Sequence, residues 1–309
     1  MPGESLAESA VGGAAVGGAA VGGHALAPSA DALCAAWAAR VRANREQVDR
    51  VRELPDAPDF YGPVTSVFRV DPFRTDEPAL EILRGLVHPG ERWLDIGAGA
   101  GRYALPIALL AGSVVGVDPS PGMLAALRED AERHGIRNVE TIEGRWPLDP
   151  TLPTPERERA HGDVALIAHV SYDIEPVCAF LAAMEASADR LCVAVLGSAS
   201  PTGIADPFWP GVHGQPRAPL PALRELLALL LAMGRLPEMR LVERAPRTFG
   251  TKDELVDFVR HHTWVEPGGA KDRRLVELAD ELAIERDGRF SIGLAPAKIG
   301  IVTWEPPAR

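Results

Sequence analysis

Three glycines at alternate positions, Gly97, Gly99 and Gly101, constrain what this chain can fold into more than any other feature. They follow the apolar run Arg92-Trp-Leu-Asp-Ile96, which reads as a short buried strand. After them, Arg102, Tyr103, Leu105, Ile107, Leu109 and Leu110 read as a helix, with Pro106 close enough to its start to be tolerated. Glycines at a strand-to-helix turn let the backbone bend sharply and let a ligand lie against the main chain, near the free amides of a helix start. The arrangement predicts a nucleotide-binding turn in an α/β fold.

Spacing and charge then choose between ligands. A dinucleotide turn runs G-x-G-x-x-G, its third glycine packing helix on strand, but counted from Gly97 that position is Arg102. Asp95, two residues before the first glycine, would face a pyrophosphate unfavourably and a cation favourably. S-adenosylmethionine offers an ammonium and a sulfonium and no phosphate, so it is the better match. Downstream, Val114, Val115 and Val117 predict a second buried strand with Asp118 at its carboxyl end, placed to accept from both ribose hydroxyls. Ser120 reads as an N-cap, Pro121 as the first residue and Gly135 as the terminator of a helix over roughly Pro121 to His134.

Together, Leu94-Asp-Ile-Gly-Ala-Gly-Ala-Gly101 and Val115-Gly-Val-Asp-Pro119 resemble the class I S-adenosylmethionine-dependent methyltransferases, over about Leu86 to Gly197. The resemblance implies a Rossmann-like α/β fold whose seven-stranded sheet ends in an antiparallel strand and carries helices on both faces. It implies S-adenosyl-L-methionine as cofactor and S-adenosyl-L-homocysteine as product. Asp95, Gly97, Ala98, Gly99 and Gly101 would hold the methionyl part, Asp118 the ribose, with Pro119 and Met123 just after it. Gly144, Arg145 and Trp146, following a third strand over Val139 to Glu143, would meet the adenine. Members of this class often carry an acid where Arg145 stands, and Trp146 either stacks on the adenine or fills core. The competing reading is another α/β nucleotide fold with a non-catalytic turn.

A fourth strand, Asp163 to Ala168, opens into His169-Val-Ser-Tyr-Asp173, at the sheet edge where α/β folds place their chemistry. Methyl transfer from a sulfonium is an in-line displacement that needs alignment, and for a hydroxyl acceptor gains from a base. His169 is the candidate base and Tyr172 the candidate orienting group. Alternatively His169 only hydrogen-bonds the cofactor or a loop carbonyl. No Asn-Pro-Pro-Tyr-like motif follows this strand and no cysteine is placed for covalent C5-pyrimidine chemistry, which weighs against a base methylase.

The rest of the chain frames that core. With 309 residues, 46% hydrophobic and 24% charged, it has the composition of a globular enzyme. A formal charge of −11 argues against tight binding to a nucleic-acid backbone. Cys34, Cys178 and Cys192 are odd in number, lack metal-type spacing and read as reduced core residues of a cytoplasmic protein. Residues 1–28 repeat Val-Gly-Gly-Ala-Ala and read as a flexible, low-complexity tail without the basic start of a signal peptide, and no run is long enough to span a bilayer.

Residues 29–85 read as a helical cap: an amphipathic helix from Ser29 to about Leu54, an aromatic segment with Phe60 and Tyr61, and a helix from Glu77 to Val87. By resemblance Phe60 and Tyr61 are candidates for the acceptor wall, the alternative being that they fill the seam between helix and sheet. Residues 86–309 would form the methyltransferase domain, with a fifth strand over Leu191 to Leu196, a sixth over Met239 to Glu243 and the last over Lys298 to Trp304. A Pro- and Gly-rich loop at 199–219, carrying Trp209 as a third candidate for the acceptor pocket, and a two-helix insertion at 246–296 would cover the acceptor side. The insertion reads equally as a purely structural cover. No His, Cys and acidic cluster has convincing ligand spacing, so no metal is expected. The resemblance thus implies transfer of a methyl group to oxygen or nitrogen of a small molecule. The alternatives are a catalytically silent cofactor-binding regulator, or an RNA or protein methylase, which would need a basic groove at the strand ends.

Overall fold

The computed structural model describes residues 28–55, 59, 65, 68–293 and 295–308. The expected tail, apart from Pro28, and both Phe60 and Tyr61 lie outside the described residues. In chain order the elements are α1 (Ala30–Val51), α2 (Pro78–Arg84), β1 (Arg92–Ile96), α3 (Ala104–Ala108), β2 (Ser113–Asp118), α4 (Pro121–Arg133), β3 (Val139–Glu143), α5 (Thr154–Arg159), β4 (Gly162–Ala168), α6 (Val177–Ala186) and β5 (Ala188–Gly197). A 3-10 helix (Pro201–Phe208) leads into α7 (Trp209–His213), α8 (Leu223–Ala232), β6 (Glu238–Arg244), α9 (Lys252–Thr263), α10 (Ala270–Leu282), β7 (Ala283–Arg286), β8 (Arg289–Ile292) and β9 (Ala297–Trp304).

The seven-stranded sheet has the order β3-β2-β1-β4-β5-β9-β6. Strand β9 is antiparallel to β5 and β6, and the remaining neighbours are parallel, as expected. Residues alternate between faces along each strand. Leu94, Ile96, Val115, Val117, Ile167 and Leu196 join one core with α1, α6 and α8. Trp93, Val114, Val164, Leu166, Val193 and Val195 join another with α2 and α3. Buried on both faces, these strands read as continuous apolar runs.

Helix α1 keeps the predicted Ser29 cap, whose hydroxyl accepts from Ala32 N at 3.2 Å. It buries Trp37, Val41 and Val48, and the Trp37 indole donates to Ile174 O at 3.0 Å. Its docking on α6 brings the Cα atoms of Cys34 and Cys178 to 6.0 Å, and the two form a disulfide. That corrects the expectation of three reduced cysteines; Cys192 alone is free, and burial pushes its thiol up. Farther along, Asn44 Nδ2 donates to Ala218 O at 2.5 Å, and just past the helix Glu53 N donates to Trp264 O at 2.9 Å. Lys271 Nζ reaches Val51 O at 2.6 Å. One helix therefore touches the sheet's helices at one end and the corner between α9 and α10 at the other.

The C-terminal insertion differs from its prediction. Where a loop was expected, the 3-10 helix and α7 pack Ala205, Phe208 and Val212 with Leu255, Val259, Leu275 and Leu278 into a core of their own. Helix α10 stops at Leu282, and Asp287-Gly288, at φ of 52° and 71°, turn a hairpin between β7 and β8. Among the described residues, no helix is long and apolar enough to cross a membrane.

A buried carboxylate ties the far side of the sheet together. Glu185 accepts from Arg235 Nε and Nη2 at 2.7 and 2.8 Å, and from Trp304 Nε1 at 2.9 Å. Removing it leaves a guanidinium and an indole N–H without their partner, so Glu185→Ala is expected to lose about 3 kcal/mol. Urea unfolding followed by circular dichroism measures that loss; a change within experimental error would show the network to be decorative.

Candidate active site

The strand order reverses between β1 and β4, so their carboxyl ends flank the crevice where such sheets bind ligands. The glycine turn leaves β1, and His169 leaves β4 beside it. All three glycines have positive φ, of 77°, 53° and 84°. A Cβ on Gly97 would run into Val170 Cγ2, and one on Gly101 would lie 2.9 Å from Leu105 Cγ and 3.0 Å from Leu127 Cγ. A Cβ on Gly99 would meet nothing within 4 Å. Two glycines therefore serve the packing of the turn, and the middle one leaves open space against bare backbone.

The turn uses its own amides. Gly97 N and Ala98 N both donate to Val117 O, at 2.7 and 3.1 Å, and Gly101 N donates to Ala98 O at 2.9 Å. Gly99 N donates to Asp118 Oδ2 at 2.9 Å, while Ser120 N donates to Asp118 Oδ1 at 2.8 Å. A pyrophosphate would find few donors here, and α3 is only five residues long.

Carboxylates gather instead. Asp95, 3% exposed, accepts a hydrogen bond from the Ala104 amide. Burial, and next the charge of Asp118, push its carboxyl up to about 7. Burial raises Asp118 as well, helped by Asp59. Asp59 Oδ2 accepts from Ser120 Oγ at 2.8 Å, and Phe68 packs on Ala100, Met123 and Ala126. Asp59 and Phe68 thus lie against the start of α4 and the glycine turn. The sequence reading did not single out Asp59 or Phe68, because irregular backbone carries no periodic signal. Three carboxylates around a turn with open space at Gly99 fit a cationic ligand.

Pro119 is exposed and Met123 buried. At the end of β3, Gly144 N donates to Asp118 O at 3.0 Å, and Arg145 is exposed. Trp146 is half-buried, donates to Phe180 O at 3.4 Å and packs on the core. Beside it opens a hollow of about 540 Å³ lined by Glu143, Gly144, Arg145, Pro147 and Leu148.

The β4 exit is unusual backbone: His169 and Ser171 have φ of 58° and 86°. Arg244 Nη1 lies 3.4 Å from His169 Nε2 and can only donate, so the ring carries its proton on Nδ1, 3.4 Å from Tyr172 Oη. Tyr172 Oη also accepts from Gly197 N at 2.7 Å, and burial pushes its phenol up to about 12. Burial, then Arg244 and Arg102, lower His169 to about 3. So weak a base, with its lone pair turned to a guanidinium, draws little from an acceptor proton.

Trp209 does not line an open pocket. It is fully buried, 4.5 Å from the His213 ring and beneath the Arg217 guanidinium at 5.3 Å, supporting the insertion from within. Among the described residues, no group of three His, Cys, Asp or Glu could hold a metal ion.

Two outcomes follow. Gly101→Ala is expected to cost about 2 kcal/mol or more in denaturant unfolding, through backbone strain together with the Leu105 and Leu127 contacts, whereas Gly99→Ala costs about 1 kcal/mol from strain alone. Equal costs would mean that the two glycines do the same job. Because burial holds Asp95 at about 7 in the folded protein, well above an ordinary aspartate, the folded state holds a proton that the unfolded state has released. Its stabilising contribution is complete below about pH 4 and fades as pH rises to about 7. Melting temperatures of the wild type should therefore fall relative to Asp95→Asn across that window; parallel profiles would contradict the shift.

Residues 94–184 match a protein-family model described as a methyltransferase domain. Over 61 residues the chain is 41% identical to the 23S rRNA (uracil(1939)-C(5))-methyltransferase RlmD of Shewanella sp. strain MR-4. That stretch is 20% of this chain and 14% of the relative. The RlmD of Alkalilimnicola ehrlichii is 41% identical over 86 residues, 28% of this chain and 18% of its own length. Among solved structures, a putative methyltransferase from Bacillus halodurans C-125 aligns with 75% of this chain and 99% of its own, at 15% identity and a TM-score of 0.51. The YcgJ protein from Bacillus subtilis aligns with 74% and 98%, at 16% identity and a TM-score of 0.50. At these identities the two structures speak for the fold alone. The domain match over 94–184, on a sheet of this order with Asp95 and Asp118 in adjacent strands, shows that the chain carries a methyltransferase domain.

Proposed function

We propose that this enzyme moves the methyl group of S-adenosylmethionine to an oxygen or nitrogen of a small-molecule acceptor. The observation that carries the reading is the convergence of Asp59, Asp95 and Asp118 on a turn in which the amides of Gly97, Ala98, Gly99 and Gly101 are already bonded within the chain. Asp95 would hold the ammonium end, Asp118 the ribose, and the bare backbone at Gly99 the space between. Gly144, Arg145 and Trp146 would flank the adenine. Bound there, S-adenosylmethionine supplies a methyl carbon made electrophilic by its sulfonium. The chain's part is alignment and exclusion of water, with His169 neutral and Tyr172 hydrogen-bonded to Gly197, so that both hold the β4 exit in place.

Cysteine chemistry favours a small acceptor over a pyrimidine base. Cys34 and Cys178 are joined, and Cys192 is buried with its thiol pushed up, so no thiolate stands ready to attack a ring. The RlmD proteins share only a short stretch with this chain, and what they methylate is not carried over.

Calorimetry with S-adenosylhomocysteine tests the cofactor site. The wild type should bind, and Asp118→Ala should lose about tenfold to a hundredfold, the worth of hydrogen bonds to a charged group. Affinity should rise between pH 6 and 8 with release of a proton, because Asp95 ionises to meet the ammonium. Absence of wild-type binding, or binding equally tight in Asp118→Ala, would overturn the reading. Methyl-labelled S-adenosylmethionine incubated with fractionated metabolite extracts should label a small molecule; label appearing only in RNA or protein would favour those acceptors.

A further inference from the structure

Nearly every buried or half-buried arginine around the crevice has an acidic partner. Arg102 pairs with Glu77 at 2.8 Å, Arg217 with Asp206 at 3.4 Å, and Arg260 with Asp272 at 2.8 Å. Among the described residues, Arg244, at the end of β6, and Arg247, three residues on, have no acidic partner. Both are half-buried, and among the described residues the one polar contact of Arg244 is the neutral His169 ring. Arg247 lies over the Phe258 ring of α9, 4.8 Å from its centre, and Phe258 in turn stacks on His262 at 4.1 Å. His262 is itself held down to about 4 by burial, so that stack adds no charge. Glu243, between the two strand neighbours Val242 and Arg244, is exposed.

Leaving two guanidinium groups partly desolvated without a counter-ion is costly, and a ring beneath one of them offsets only part of it. The guanidinium fork is shaped for a carboxylate. Burial, then Arg244 and Arg102, lower Arg247, as they would where an anion is missing from a cationic cluster. We propose that Arg244 and Arg247 bind the carboxylate of an acidic acceptor that approaches past His169.

The cofactor has a carboxylate too, on its methionyl end. In the sheet order, β6 lies four strands from β1, about 19 Å at roughly 4.8 Å per strand. The glycine turn leaves β1 and the arginines leave β6, with His169 of β4 between. The two groups thus leave strands that are four apart, although the charge of Arg102, next to the glycine turn, is felt at both His169 and Arg247, so titration with S-adenosylhomocysteine alone is what separates the two claims. The inference rests on the methyltransferase reading and narrows its acceptor to organic acids.

The test is calorimetry in two stages. The wild type, Arg244→Gln, Arg247→Gln and Arg247→Lys are first titrated with S-adenosylhomocysteine, which reads the cofactor site by itself. The saturated complexes are then titrated with benzoate and 2-hydroxybenzoate, and with benzamide and 2-hydroxybenzamide as neutral matches. The proposal expects S-adenosylhomocysteine affinities within about twofold of one another, and in the wild type a carboxylate at least tenfold tighter than its amide. That preference should vanish in Arg247→Gln, drop in Arg244→Gln and partly return in Arg247→Lys. It is overturned if acid and amide bind alike, if no carboxylate binds the saturated wild type, or if the arginine variants weaken S-adenosylhomocysteine and leave carboxylate binding untouched. Melting curves identify any variant that fails to fold, in which case Arg247→Lys decides. Failure of S-adenosylhomocysteine to bind the wild type removes the methyltransferase reading and this inference with it; cofactor binding without a carboxylate preference removes the inference alone.

Discussion

The carbonyl of Val117 and the carboxylate of Asp118 hold the glycine turn to the end of β2. Four amides of two neighbouring segments, Gly97, Ala98, Gly99 and Ser120, close on these two adjacent residues. Such a junction fixes the bend of the chain after β1, and with it the distance between Asp95 and Asp118. It also explains why Gly97 and Gly101 are needed even though neither faces open space: a side chain at either would meet Val170 or Leu105 and pry the turn from β2.

Charge is divided across the crevice. Acidic side chains gather where β1 and β2 end, and cationic ones where β6 ends, with a neutral imidazole at β4 between them. Low dielectric strengthens both halves, because each group is at least half-buried. On the proposed reading, a donor carrying positive charge and an acceptor carrying negative charge would be drawn to opposite sides of the same space. The neutral state of His169 fits that division, since a protonated ring would add to the cationic side and abut Arg244.

Much of this was legible in the sequence because it rests on period and punctuation. Continuous apolar runs in β1, β2, β4 and β5 place each strand, and Ser120 with Pro121 marks the start of α4 to the residue. Pairings distant in sequence were not legible. Cys34 and Cys178 lie 144 residues apart and become partners only when α1 docks on α6. Asp59 and Arg244 sit in or beside irregular backbone, where nothing local says which way a side chain turns. Trp209 looked like a pocket residue because it stands in a Pro-rich loop, but that loop folds into helices around it. The β7–β8 hairpin did leave a signal, Asp287-Gly288, which a helical pattern running up to it obscured.

Helix α1 has a role beyond covering the sheet. It is bonded to α6 through Cys34 and Trp37, to the segment before α8 through Asn44, and to the α9–α10 corner through Val51 and Glu53. A strut of 22 residues, fastened at both ends, ties the helices of the sheet to the insertion. On the proposed reading, the gap from the donor cradle to the far wall would act as a ruler, sorting acceptors by how far their reactive atom stands from the end that is gripped.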